Sequence, residues 1–255
     1  MGVSLEKGGR ISLSKDNPGL SRVRIGLGWD ERTTDGAEYD LDASMFLLKA
    51  DGKCGTDGNF VFYGNLKPAH LNGAVEHQGD NLTGGGDGDD EVIEVNLADL
   101  RSTAPDIEKM DIVVTIHDAE KNSQNFGQVQ NAFIRLVNAD NSEEIVRYDL
   151  GEDYSTETAL IFGSVYFKND EWRFTAVGQG YQGGLAAACE NYGIQTSWDD
   201  SVGEGLTPPL VPEPEQLRFG WVFGLLGVVV RSRGGLSSAP ANRQPRPGTP
   251  LQAKL

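Results

Sequence analysis

The chain has 255 residues, 38% of them hydrophobic, and 38 acidic against 22 basic residues give a formal net charge of −16. That balance argues against nucleic acid, whose affinity rests on Lys and Arg neutralising phosphates, and suits divalent cations or basic partners. Cys54 and Cys189 are the only cysteines, which excludes a disulfide-dense scaffold, and residues 1–20 lack the apolar run of a secretory leader, so a reducing cytoplasm is expected.

In chain order, residues 21–27 alternate, with Val23, Ile25 and Leu27 opposite Arg22 and Arg24, which predicts a strand with one buried face. Gly28, Trp29 and Asp30 lead into a polar loop. From 39 to 47 the apolar Tyr39, Leu41, Ala43, Met45 and Leu47 share one face, so Asp40, Asp42 and Ser44 share the other at the strand's start. A turn over 49–59 precedes a short strand at 60–63, and Val75, Glu76 and His77 form another. Residues 92–97 alternate again, 99–105 predict a short helix ending before Pro105, and 111–117 (DIVVTIH) predict a buried central strand. Two hairpins follow, 132–137 with 145–150 and 164–167 with 172–177, then a helix over 183–192 stopped by Gly193. Many short strands with few short helices predict a mainly β fold, an antiparallel β-sandwich over residues 1–194.

The composition changes after Ile194. Eight of the eleven prolines fall in residues 195–255, and beyond Gln216 there are six basic residues and no acid. Residues 208–214 predict a linker and 240–255 a disordered end. The apolar run 217–230 (LRFGWVFGLLGVVV) is short for a membrane span and carries Arg218 and three glycines. The expectation is an irregular Pro/Gly-rich tail, and an unselected extension accounts for it better than a weak membrane- or partner-binding segment.

The strongest chemical signal is the loop 79–91, GDNLTGGGDGDDE, with Asp80, Asp87, Asp89, Asp90 and Glu91 beside Asn81 and Thr83. Two carboxylates about 4 Å apart repel by about 4 kcal/mol at an effective dielectric of 20, so such crowding calls for a cation or full solvation. Hard oxygen donors on a flexible glycine-rich loop suit Ca²⁺ better than Mg²⁺ or zinc. The loop is not an EF-hand, because with Asp80 at the first position Leu82 and Gly84 stand where ligands are required. One GGxGxD unit without repeats cannot build a calcium β-roll. Alone, the loop reads sooner as a solvated acidic run than as a metal site. Asp40 and Asp42 supply a rigid second wall, with Asp30 reaching the same rim and Asp118 a weaker candidate. His77 and His117 are expected to be structural, and Trp29, Trp172 and Tyr181 to be core or sheet-edge aromatics. No HExxH, GxSxG or P-loop occurs, so no catalytic residue is assigned.

The motifs MGVSLEKGG, IGLGWDERTTDG, YDLDAS, GDNLTGGGDGDDE, VVTIHDA, FGQVQNAFIRLVN, STETALIFGSVY and AVGQGYQGGLAA, in this order, resemble the TerD family of tellurite-resistance and stress-response proteins from residue 1 to about 194. The resemblance implies a Ca²⁺-binding β-sandwich with no established catalytic reaction, acting in bacterial resistance to tellurite, phage and colicins. It implies a cytoplasmic protein, peripheral at the inner membrane, that works with other tellurite-resistance proteins and an integral-membrane partner. Carried onto this sequence, the metal-binding acids are Asp40, Asp42, Asp80, Asp87, Asp89, Asp90 and Glu91, with Asn81 and Thr83 in the same loop. Two rivals remain from other classes: a metal-dependent hydrolase of small phosphorylated compounds, using His77 or His117 as base, and a lectin-like Ca²⁺-dependent binder.

Overall fold

A computed structural model describes residues 2–85, 88–151 and 154–195. The linker, apolar run and disordered end expected in the tail lie outside the described residues. The chain opens with β1 (Val3–Leu5), β2 (Arg10–Ser12) and the one-turn helix α1 (Leu13–Asp16), none of which the sequence pattern announced. Ser12 Oγ accepts from Lys15 N and caps that turn. Then come β3 (Arg22–Gly28), β4 (Leu41–Leu48), β5 (Phe60–Val61), β6 (Val75–His77), β7 (Glu91–Asn96) and the helix α2 (Leu97–Thr103). The last part holds β8 (Lys109–Ile116), α3 (Ala119–Asn122), β9 (Phe133–Asn138), β10 (Glu144–Asp149), β11 (Ala159–Lys168), β12 (Glu171–Tyr181) and α4 (Gly184–Tyr192). Both expected hairpins are present: β9–β10 lies within one residue of the expected bounds, while β11 and β12 run longer than the alternation alone indicated.

Among the described residues the strands form two six-stranded sheets. Sheet A has the order β1-β10-β9-β3-β7-β6 and sheet B the order β2-β12-β11-β8-β4-β5. Pairing is antiparallel throughout except at the edge of sheet A, where β1 runs parallel to β10. The N-terminus thus places one strand in each sheet. Between the sheets lies the main core, to which β3 sends Val23, Ile25 and Leu27 and β4 sends Leu41, Ala43, Met45 and Leu47. The period-two alternation therefore fixes the opposite face of each strand: Arg22, Arg24, Gly26 and Gly28 face outward on sheet A, and Asp42, Ser44, Phe46 and Leu48 face outward on sheet B.

The outer face of sheet B is itself largely apolar and is covered by α4. Phe46 stacks on Phe60 at 4.4 Å, Phe60 on Phe62 at 4.3 Å, and Tyr192 closes on Phe46 at 4.5 Å. Tyr192 Oη donates to Asp111 Oδ2 at 2.9 Å, which satisfies both groups beneath the helix. One side of the sandwich is sealed where β7 and β6 of sheet A meet β4 of sheet B. There the start of β4 runs past the end of β5, so among the described residues Ala43 has no strand partner on that side. Glu91 Oε2 accepts from its N–H, and His77 Nε2 meets its carbonyl oxygen.

Candidate metal centre

Strand alternation sets the first wall of the site. Asp40 and Asp42, two residues apart at the start of β4, point away from the core, and register places Asp42 beside Thr115 of β8. The loop that leaves β6 brings Asp80 to them. One oxygen from each of Asp40, Asp42 and Asp80 lies within 4.8 Å of the others. A calcium ion holds its oxygens at about 2.4 Å, so any two of them stand at most about 4.8 Å apart across its sphere. The spread fits a single such ion. Asp42 is buried, Asp40 half-buried and Asp80 exposed, so the triad opens to solvent on one side. His117 stands next to it: its N–H donates to the Asp40 carbonyl at 2.8 Å, its Nδ1 lies 4.0 Å from Asp42 Oδ2, and its Nε2 lies 3.8 Å from Asp118 Oδ2.

The acidic loop is bonded to both sheets. Asn81 is the hub of its first half. Its N–H donates to Glu91 Oε1, its Nδ2 donates to Asp90 Oδ1, and its Oδ1 accepts from Thr83 N. Thr83 is exposed. Gly84 adopts φ +68, and a Cβ there would stand 2.3 Å from Trp29 Nε1, so the loop rests on the indole at a position only glycine fills. Trp29 is in turn fixed by donating Nε1–H to the Tyr39 carbonyl. Glu31 reaches in from the neighbouring loop, its Oε1 lying against the Cα of Gly85. Sequence patterning gave no reason to separate Glu31 from the other polar residues around it.

The remaining expected ligands are each held elsewhere. Asp90 Oδ2 accepts from Trp29 N at 3.0 Å, and burial, with the charges of Asp89, Glu31 and Asp30 adding to it, raises its pKa above the usual aspartate range. Glu91 is buried and its pKa is likewise raised, first by burial, with the bonds from His77, Ala43 and Asn81 opposing. Asp89 Oδ1 accepts from Arg135 Nε at 2.6 Å. Asp30 Oδ2 accepts from Asn131 Nδ2 at the exposed rim. Asp87 lies outside the described residues. The structure therefore brings Asp40, Asp42 and Asp80 together, joins Asn81, Asp90 and Glu91 in a hydrogen-bonded stem, and pairs Asp30 with Asn131 and Asp89 with Arg135. His77 is locked: Gly79 N–H donates to Nδ1, so Nε2 carries the proton that goes to the Ala43 carbonyl.

Residues 1–192 match the family described as the TerD domain. The chain is similar to the tellurium resistance protein TerD of an Alcaligenes species, 56% identical over 77% of this chain and 100% of that one. It is similar to general stress protein 16U of Bacillus subtilis, 54% identical over 76% of this chain and 99% of the other. Among solved structures, a TerD homologue from Streptomyces coelicolor superposes with a TM-score of 0.54 at 21% identity, over 66% of this chain and 95% of that chain, which supports the fold.

Proposed function

This chain belongs to the TerD family of tellurium-resistance and general stress proteins, and on that premise we propose that it is a calcium-binding, non-enzymatic module of a bacterial stress response. The observation that carries the metal reading is the convergence of Asp40, Asp42 and Asp80 within 4.8 Å. Three carboxylates so close repel strongly, and an oxygen-seeking divalent cation relieves that repulsion. Bound there, the ion would cancel part of the rim's charge and tie the loop from β6 to the start of β4. The loops over 30–42 and 79–91 would then be ordered together and present a docking face. Other tellurium-resistance proteins and an integral-membrane partner are the proposed companions, on the cytoplasmic side of the inner membrane. Among the described residues no helix is long and apolar enough to cross a membrane.

Calorimetric titration of the full chain with CaCl₂, paired with melting curves in calcium and in chelator, tests the reading. Binding to the native state alone should raise stability by about 2.7 kcal/mol at a free ligand concentration of 100 times Kd. Flat heats with coincident melting curves would remove calcium from the proposal.

A further inference from the structure

We propose that Asp89 and Arg135 form a clamp that positions the acidic loop from the outer face of sheet A, so that Asp89 serves the metal centre through Arg135 and not as a ligand. The proposal rests on the metal reading above for its consequence, while the clamp itself is a matter of this chain's own geometry. Strand alternation puts Gly26 outward on β3, and the Asp89 carboxylate lies flat on its Cα. A Cβ there would stand 2.2 Å from Cγ and 2.4 Å from both carboxylate oxygens. On the next strand, β9, Arg135 is the outward residue in register with Gly26. Its Nε donates to Asp89 Oδ1 at 2.6 Å, and its Nη1 donates to Glu144 Oε2 at 3.3 Å on β10. The Asp89 side chain is 9% exposed and that of Arg135 28%, so the pair is well shielded from water and salt.

The metal triad has the opposite address. Asp42 projects from the outer face of sheet B, while Asp89 lies on the outer face of sheet A, with the sandwich core between those faces. A carboxylate already neutralised by a guanidinium on the far sheet is poorly placed to join Asp40, Asp42 and Asp80. What it does is fix the stem. Asp90 N donates to the Leu27 carbonyl and Asp90 Oδ2 accepts from Trp29 N, so Asp89 and Asp90 together fasten the returning loop along β3. With its return end fastened, the loop presents Asp80 to β4 with less freedom left to lose on binding, which is the general gain from preorganisation.

Calcium affinity by calorimetry and amide exchange of residues 79–91 in chelator, both on the full chain, test this. Asp89→Ala and Arg135→Ala should each weaken calcium binding about tenfold, a change of about 1.4 kcal/mol, and the double variant should be no weaker than either single. Both should speed exchange in the loop. Asp89→Asn keeps the Oδ1 acceptor for Arg135 and should stay within about threefold of the parent, and Arg135→Lys should recover part of the loss seen with alanine. A hundredfold loss in Asp89→Asn, tighter binding in Arg135→Ala, or unchanged loop exchange in both alanine variants would overturn the clamp. A parent chain that takes no calcium defeats the metal reading alone, and the exchange data then decide the clamp.

Discussion

Glu91 Oε2 accepts the backbone N–H of Ala43 at 2.6 Å, across the seam where the two sheets meet. Ala43 lies on β4 beyond the reach of β5, so without this carboxylate its buried amide would have no partner on that side. His77 satisfies the other backbone group of the same residue by donating to its carbonyl at 3.0 Å. Two side chains from one sheet thus replace a missing strand of the other. They do so one residue away from both Asp42 and Asp90, which couples closure of the sandwich to the placement of the acidic rim.

Glu91→Ala should destabilise the chelated protein by about 3 kcal/mol. An unsatisfied buried donor costs about 1–3 kcal/mol, and the lost side chain leaves a void in addition. Glu91→Gln keeps an acceptor for the Ala43 N–H and removes a charge that burial disfavours, but it turns an amide NH₂ toward the Asn81 N–H that Oε1 accepts in the parent, so it should fall between the parent and Glu91→Ala. Urea denaturation midpoints of the three proteins in chelator check the ordering.

The triad makes a separate prediction. Asp40→Asn, Asp42→Asn and Asp80→Asn each remove one negative oxygen from the same sphere and should each weaken calcium at least about tenfold, a loss of about 1.4 kcal/mol or more. In chelator the same variants should melt at or above the parent temperature, because mutual repulsion falls by one charge. Titration calorimetry and paired melting curves read both effects, and a variant weaker in chelator as well would mark a structural carboxylate.

Much of this arrangement was legible in the residues. Alternation along 21–27 and 39–47 placed the core faces of β3 and β4 correctly, and with them the outward pairing of Asp40 and Asp42. Gly193 ends α4 as the helix-stop pattern indicated. The first two strands escaped because each is three residues long, too short for a period to show, and they are held by pairing with β10 and β12 from the distant end of the chain. Within the acidic loop, composition could not say which carboxylate faces which sheet. That sorting depends on Arg135, Trp29 and Ala43, all remote in sequence. Gly26 and Gly28 did carry a signal, since outward glycines in a strand mark a close approach of other atoms.

Cys54 and Cys189 sit in the apolar cluster under α4, and burial pushes both thiols up to about 12 from 9.0. A raised native pKa means that the folded state keeps protons which the unfolded chain loses, so stability is full below about pH 8.5 and falls as pH rises toward 12. Two such thiols give a maximum slope of about 2.7 kcal/mol per pH unit. Replacing both by alanine should flatten the alkaline limb of stability against pH at some cost in packing. Denaturation midpoints at pH 8, 9 and 10, in reductant, check the slope.

Gly26→Ala gives the most direct test of how closely the loop lies on sheet A. Alanine in place of glycine in a strand ordinarily stabilises, by about 0.5–1 kcal/mol, because the unfolded chain loses freedom. Here the added methyl would occupy the space of the Asp89 carboxylate, at 2.2 Å from its Cγ. The carboxylate must then leave Arg135 or the strand must shift, and either cost exceeds the entropic gain. The variant should be destabilised by about 1–2 kcal/mol, the range expected for a half-buried, charge-assisted bond. In an Asp89→Ala background the collision largely disappears, and the same substitution should become neutral or stabilising. Denaturation of the four proteins of this cycle, in chelator, reads the reversal of sign, which no role of Gly26 in the backbone alone would produce.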